Sequence, residues 1–180
     1  MTRVILTYAD YAALPDDGRR YELHEGELSV TPSPGTRHQR VIGNLFVILR
    51  HHVQAHRLGE LFLSPTDCIL SDTTVVQPDI PFVDARHASR VSERAIEGAP
   101  TLAVEVLSPS TERIDRRRKL DLYARHGVPY YWIVDPAARV IDTYNLADGA
   151  YHIGARLAGD QPAALPPFGD LPLDPAALWT

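Results

Sequence analysis

The chain has very little cysteine: Cys68 is the one thiol among 180 residues. A single cysteine excludes a disulfide within the chain and any zinc site built from several thiolates. Long apolar runs are also missing, since no stretch approaches the roughly 20 apolar residues that a membrane-spanning helix needs. The apolar part of the first eight residues is too short for a signal peptide. These absences predict a cytoplasmic protein that does not enter a membrane.

A surplus of basic residues is missing as well. The formal net charge is −5 at pH 7, whereas proteins that bind phosphate backbones without sequence preference usually carry excess Lys and Arg. A nucleic-acid partner would therefore need a local basic patch. The candidate patch is a helical segment that contains Arg113, Arg116, Arg117, Arg118 and Lys119. A charge run of this kind is equally typical of a solvated helix face, so both interpretations remain open.

The remaining composition is that of a folded domain. Apolar residues make up 44% and charged residues 23% of the chain, which is close to the average for globular proteins. The length fits one domain over residues 1–180. Its core is expected at about 20–145, and a Pro-rich tail at about 159–180 is expected to wrap the surface.

The order of predicted elements favours a mixed sheet with helices on its faces. Tight hairpins are predicted around Glu25-Gly26 and around Asp148-Gly149. Apolar residues at helical spacing predict one helix over 38–56, and cap residues at Ser108–Thr111 begin another that runs to His126.

Glu105 is the most informative residue, because it interrupts the apolar, strand-like run 101–107. A carboxylate is almost never fully buried unless a cation compensates it. Asp79 raises the same question, since it interrupts the apolar segment 75–83. Each acid therefore needs a Lys, an Arg or a metal ion as its partner.

The pattern permits these acids to meet a lysine. Alternation along the strand places Glu105 on the same face as Ala103 and Leu107, and helical spacing aligns Lys119 with Tyr123. If this stripe faces the sheet, Asp79, Glu105 and Lys119 can form one cluster. Two interpretations stay open: separate buried ion pairs, or two carboxylates that share Mg²⁺, an ion that prefers oxygen ligands.

Several motifs in the same order carry a resemblance that covers about residues 20–145. They are Tyr21-Glu22-Leu23, Gly26-Glu27, Arg37-His38, Pro78-Asp79, the run 103–110, Asp115 with Lys119 and Tyr123, Gly127-Val128, and the run 131–136. In this order the chain resembles the Uma2 family, a bacterial group placed among restriction endonucleases of the PD-(D/E)XK nuclease superfamily.

The resemblance implies a metal-dependent nuclease. Its fold would be an α/β restriction-endonuclease-like mixed sheet between helices (α/β/α), with β-hairpins towards both ends of the chain. Asp79 and Glu105 would bind Mg²⁺ or Mn²⁺, and the main-chain carbonyl of Val106 would add a ligand. The superfamily pattern places a lysine two residues after the second acid, where this chain has Leu107. The resemblance implies that Lys119, from the next helix, replaces it as the catalytic lysine.

Other residues are weaker candidates. Glu27 is a possible third acid near the metal or a solvated strand residue, and His38 is a phosphate contact or a helix cap. His51 and His52 lack a matching ligand and are interpreted as surface residues. The residues expected to contact nucleic acid are Arg37, Arg113, Arg116 and Arg117.

The predicted function is a Mg²⁺-dependent endonuclease that hydrolyses phosphodiester bonds of DNA. Cleavage of both strands would need two sites, so a homodimer is expected. Two alternatives stay open: a nuclease-fold module that binds without cutting, and a metal-dependent hydrolase of a small phosphoester.

Overall fold

The computed structural model of the protein describes residues 4–31 and 33–180. The helices are α1 (Tyr8–Ala12), α2 (Thr36–His56), α3 (Leu120–Arg125) and α4 (Pro175–Leu178), with a 3₁₀ turn at Ala85–Arg90 and a π-helical turn at Ile114–Lys119. The strands are β1 (Arg20–His24), β2 (Glu27–Thr31), β3 (Gly59–Leu61), β4 (Cys68–Ser71), β5 (Thr74–Val76), β6 (Ile80–Asp84), β7 (Ile96–Glu97), β8 (Leu102–Val106), β9 (Tyr130–Asp135), β10 (Val140–Ala147), β11 (Ala150–Leu157), β12 (Ala163–Leu165) and β13 (Phe168–Leu173).

The strands form a mixed α/β architecture, as predicted. The main sheet has the order β11-β10-β9-β8-β6-β3, and the pair β8–β9 is its parallel step. A second sheet has the order β2-β1-β5-β4-β7, and β12 pairs with β13. Helices cover the faces of the main sheet, which is the packing expected for this order of elements.

Both predicted hairpins are present, and the turn residues explain why. Glu25 and Gly26 have φ values of 53° and 80°, and Asp148 and Gly149 have 52° and 77°. Two consecutive residues with positive φ define the turn that best matches the twist of a two-residue hairpin. The first hairpin joins β1 to β2, and the second joins β10 to β11.

The two faces of β8 pack against different helices. Val104 and Val106 lie in one hydrophobic cluster with Leu45 and Leu49 of α2. Ala103 and Leu107 lie in the other cluster, together with Leu122 and Tyr123 of α3. Glu105 therefore points to the α3 face, as alternation along the strand predicted.

The C-terminal tail contributes more to the core than the expected surface wrapping. Leu165, Phe168 and Leu173 of the hairpin β12–β13 and Leu178 of α4 are all buried in the cluster that includes α2. The indole N–H of Trp132 donates a hydrogen bond to the carbonyl oxygen of Pro166 at 2.6 Å. These contacts make the Pro-rich tail part of the packed structure. Within the described ranges, no helix has both the length and the apolar character required to cross a membrane.

Candidate functional site

Asp79 and Glu105 are brought together by the register of two antiparallel strands. β6 pairs with β8 so that Ile80 lies opposite Val104. Asp79 directly precedes Ile80 and Glu105 directly follows Val104, so extending this register by one residue would bring the two acids opposite each other. Side chains directly opposite one another share a face of the sheet, with Cβ atoms about 4.5–5.5 Å apart. The backbone N–H of Val106 donates to Oδ2 of Asp79 at 2.8 Å, where the ladder between the two strands has ended. This hydrogen bond holds the Asp79 carboxylate at the end of β8, beside Glu105.

Lys119 contacts Glu105 from the helical segment above the sheet. Its Nζ lies 2.8 Å from Oε1 of Glu105, and the hydroxyl of Tyr123 donates to the same oxygen at 2.7 Å. Glu105 is 3% exposed and Lys119 is 5% exposed. These two donors satisfy the carboxylate that interrupts an apolar strand, as a buried acid requires.

A second acid at Lys119 is Glu22 of β1, which belongs to the motif Tyr21-Glu22-Leu23. Its Oε1 lies 3.2 Å from Nζ of Lys119 and accepts a hydrogen bond from the backbone N–H of Gln77 at 2.7 Å. Its Oε2 lies 3.2 Å from Nε2 of His24. Burial raises the pKa of Glu22, but the Lys119 ammonium and these hydrogen bonds outweigh burial, so the pKa falls well below its usual range.

Asp115 is a fourth carboxylate in contact with this group. It lies in the π-helical turn, is 1% exposed, and has its Oδ1 3.7 Å from Nζ of Lys119. That oxygen is buried and makes no hydrogen bond with any part of the chain that the structure describes. Burial raises the pKa of Asp115, although Lys119 opposes the shift. The backbone around Asp115 forms a π-helical turn where a regular helix was expected. Such turns are rare and often occur at functional sites.

The electrostatics of the cluster are dominated by negative charge. Burial lowers the pKa of Lys119, but the carboxylates of Glu105, Glu22 and Asp115 outweigh burial and raise it, so the ammonium form is held. Burial raises the pKa of Glu105 well above its usual range. One ammonium group faces three buried acids, which is why Glu22 can be ionised while protonation is favoured at its neighbours.

Asp79 has a separate set of partners. His38, in the first turn of α2, has Nε2 3.3 Å from Oδ2 of Asp79, and a nitrogen of Arg20 lies 3.7 Å from Oδ1. Nδ1 of His38 is buried and has no hydrogen-bond partner within the described residues. His38 therefore contacts the candidate site through Asp79, and its role as a phosphate contact stays a prediction.

The remaining predicted residues lie around this cluster. Glu27 is partly exposed and forms an ion pair with Arg118. Arg37 is exposed and donates to the carbonyl oxygen of Pro136 at 2.7 Å. Arg116 pairs with Glu112 at 3.0 Å and with Asp135 at 2.9 Å.

The other two basic candidates, Arg113 and Arg117, are exposed to solvent. The structure thus gives Glu27 a basic partner and engages Arg116 in ion pairs, whereas it leaves Arg113 and Arg117 at the surface. Contact of these residues with nucleic acid stays a prediction.

A cleft of about 530 Å³ opens beside His38, at the carboxyl ends of β8 and β9. Leu107 forms part of its wall and is 8% exposed. An apolar group therefore stands where the superfamily pattern has a lysine. The cleft is lined by Gly35, Arg37, His38, Leu107, Ser108, Pro109, Glu112 and residues 135–138.

Comparison with known proteins gives a consistent result. The crystal structure of a putative nuclease belonging to DUF820 from Anabaena variabilis ATCC 29413 superimposes with a TM-score of 0.79 and 21% sequence identity, and the match covers 97% of each chain. At this identity the likeness shows a shared nuclease-like fold. No curated protein matches the chain. The sequence model of Uma2, described as "Putative restriction endonuclease", matches residues 8–175. Because this match spans nearly the whole chain, the protein belongs to the Uma2 family.

Proposed function

We propose that the protein is a divalent-metal-dependent endonuclease that hydrolyses phosphodiester bonds in DNA. Asp79 and Glu105 would hold the metal, and Lys119 would be the catalytic lysine. The observation that carries the proposal is the 2.8 Å hydrogen bond from the N–H of Val106 to Asp79, which holds Asp79 beside Glu105, together with the Lys119 ammonium 2.8 Å from Glu105. The description of the family, "Putative restriction endonuclease", supports the same reaction class.

The charges of the site fit a divalent cation. Four buried carboxylates, those of Glu22, Asp79, Glu105 and Asp115, face the cationic side chains of Lys119 and Arg20. Two negative charges remain uncompensated when the acids are ionised and the histidines are counted as neutral. A hard cation such as Mg²⁺ or Mn²⁺ suits such oxygen-rich surroundings.

Val106 would supply a further oxygen. Its N–H points from β8 towards Asp79, and the N–H and carbonyl of one strand residue point to the same neighbouring strand. The Val106 carbonyl therefore lies on the side of β8 that faces Asp79. When bound, the metal ion would lower the pKa of a water molecule and stabilise negative charge on the phosphate.

Lys119 would act as a hydrogen-bond donor and not as a base. Since its three acidic neighbours raise its pKa, it keeps its proton at neutral pH. A fixed ammonium group can orient a water molecule or stabilise charge that develops on a phosphate oxygen. His38 would position Asp79 through the 3.3 Å contact between Nε2 and Oδ2.

The cleft beside His38 would receive the DNA backbone. Arg37 lines its wall, and the exposed Arg113 and Arg117 would supply the local positive charge that the net charge of −5 does not. Cleavage of both strands requires two such sites, so we include a homodimer in the proposal.

The test is cleavage of supercoiled plasmid by tag-free protein with Mg²⁺ or Mn²⁺. Wild type should nick or linearise the plasmid, and chelation of the metal should stop the reaction. Asp79→Asn, Glu105→Gln and Lys119→Met should each lower the rate at least roughly 100-fold. Asp121→Asn, at an exposed acid of α3, is the matched control and should cut like wild type.

Three results would replace the proposal. Equal cleavage by wild type and all variants would place the activity outside this site. Metal-independent plasmid binding without cleavage would support a non-cutting module, which the presence of Leu107 favours. A rate on short nucleotides equal to that on long DNA would instead indicate a small-phosphoester hydrolase.

A further inference from the structure

A second cluster of potential metal ligands lies where the C-terminal hairpin meets α2. His52 and His56 are four residues apart on α2, and Asp170 projects from β13. One ligand atom from each of the three residues can be chosen so that all lie within 4.8 Å of one another. The cluster is built from other elements than the acids around Lys119.

His52 has an unsatisfied nitrogen that points into this cluster. The residue is 6% exposed, contrary to the expected surface position, because Phe168 of the hairpin packs edge-on against its ring at 5.9 Å. Its Nε2 is buried and lies 3.2 Å from Oδ1 of Asp170, yet makes no hydrogen bond of acceptable geometry within the described chain. A buried polar atom of this kind requires a partner.

His56 is exposed, and one of its two nitrogens contacts the backbone of α2. Its Nδ1 lies 3.0 Å from the carbonyl oxygen of His52, so this nitrogen carries the proton and donates. The lone pair is then on Nε2. An N–H···O=C bond of this type is the usual way in which a protein fixes the tautomer of a metal-binding histidine. The two imidazole rings lie 4.4 Å apart between centroids.

The spacing and the donor types select a class of ion. Zn²⁺ bonds to nitrogen and oxygen at about 2.0–2.1 Å with tetrahedral angles, which separates neighbouring ligand atoms by about 3.3 Å. The 3.2 Å between His52 and Asp170 already meets this separation. Two imidazoles and one carboxylate suit Zn²⁺, Co²⁺ or Ni²⁺, whereas Mg²⁺ prefers oxygen donors.

We propose that His52, His56 and Asp170 bind one transition-metal ion of the Zn²⁺ class, which fastens the hairpin β12–β13 to α2. His52 supplies Nε2 from the buried side, and His56 and Asp170 close the site from the exposed side. A fourth position remains for water. The site is independent of the proposed nuclease reaction, and its role is to hold the tail against the core.

The direct test is Co²⁺ titration of chelator-treated protein from which any affinity tag has been removed. In excess Mg²⁺, which would occupy the proposed Asp79–Glu105 site, wild type should bind one Co²⁺ per chain with the visible absorption of low-symmetry Co²⁺, and Zn²⁺ should displace it. His56→Ala and Asp170→Asn change exposed side chains and should weaken binding by at least about 10-fold. His51→Ala, at the exposed neighbouring histidine, and Glu105→Gln should both bind like wild type.

Thermal unfolding provides a second readout. An ion that binds the folded state alone raises Tm, by roughly 5–10 °C at a free concentration 100 times Kd for a chain of this size. The shift should occur with wild type and His51→Ala and should be lost in His56→Ala and Asp170→Asn. Absence of Co²⁺ binding by wild type, unchanged binding in the two ligand variants, or loss of binding in Glu105→Gln would overturn the proposal.

Discussion

The acid cluster at Glu105 and the histidine cluster at His52 compensate buried polar groups in different ways. Around Glu105, the Lys119 ammonium contacts three carboxylates, those of Glu105, Glu22 and Asp115, and the fourth, Asp79, lies near Arg20 and His38. At His52, a buried nitrogen faces a carboxylate that is 69% exposed at its side chain. The first cluster is an internal ion network, and the second is a junction between two elements that is open to solvent.

Because of this difference, the two clusters should prefer different metal ions, and a bound ion should have a different role in each. Oxygen donors with surplus negative charge favour a hard ion, whereas imidazole nitrogens favour a softer one. Lys119 already compensates part of the negative charge of the acid cluster. The metal proposed for the histidine cluster would contribute to folding stability rather than to chemistry.

The sharpest test of this comparison measures plasmid cleavage and Co²⁺ binding in one variant of each cluster. It also has the largest expected effect. Asp79→Asn should reduce metal-dependent plasmid cleavage at least roughly 100-fold and leave one Co²⁺ bound per chain. His56→Ala should do the reverse: cleavage at saturating Mg²⁺ stays near wild type, and Co²⁺ binding is lost. Loss of both properties in either variant would show that the clusters are not independent.

Lys119→Met should produce the next largest effect, on stability. Removal of the ammonium leaves Glu105, Glu22 and Asp115 without their shared cation, and loss of one partner of a buried ion pair costs about 3–5 kcal/mol. Urea unfolding at neutral pH measures this change. Arg117→Met is the matched control, because Arg117 is exposed in the same helical turn; an equal loss in both variants would mean that Lys119 does not compensate the acids.

Much of the Glu105 cluster could be predicted from the sequence, because an acid inside an apolar run is visible from a few neighbouring residues. An acid inside an apolar strand needs a cation, and helical spacing offered Lys119 as the candidate; the structure places the two 2.8 Å apart. Both hairpins were also predictable from their positive-φ turn residues. These features depend on a few neighbouring positions, which a single sequence records.

Glu22 and His52 were missed because their burial depends on distant parts of the chain. Glu22 alternates with Tyr21 and Leu23, which is typical of a strand with one solvated face, yet β1 lies inside its sheet between β2 and β5. His52 is covered by Phe168, more than 100 residues later in sequence. Spacing gave one clue, since His52 and His56 share a helix face, but Asp170 lies in a tail that was expected only to wrap the surface.

Asp115→Asn should have the smallest effect and should test the surplus charge itself. Burial raises the pKa of Asp115 above its ordinary value of 3.8, so the folded protein binds more protons than the unfolded chain between these two pKa values. Its contribution to stability is therefore lost as pH rises through that window. The variant lacks this loss, and its stability relative to wild type should rise with pH above about 4, by on the order of 1 kcal/mol.

Urea unfolding of both proteins at a series of pH values measures the difference. The pKa of Glu22 is shifted in the opposite direction, because it is lowered, so its contribution to stability is lost only as pH falls below 4.5. Variant and wild type should therefore lose stability equally at acidic pH through Glu22. Asp121→Asn, at an exposed acid, should give a curve parallel to wild type. If Asp115→Asn is also parallel, Asp115 carries no uncompensated charge. The surplus that favours a divalent cation would then be confined to Asp79 and Glu105, the two acids that the strand register brings together.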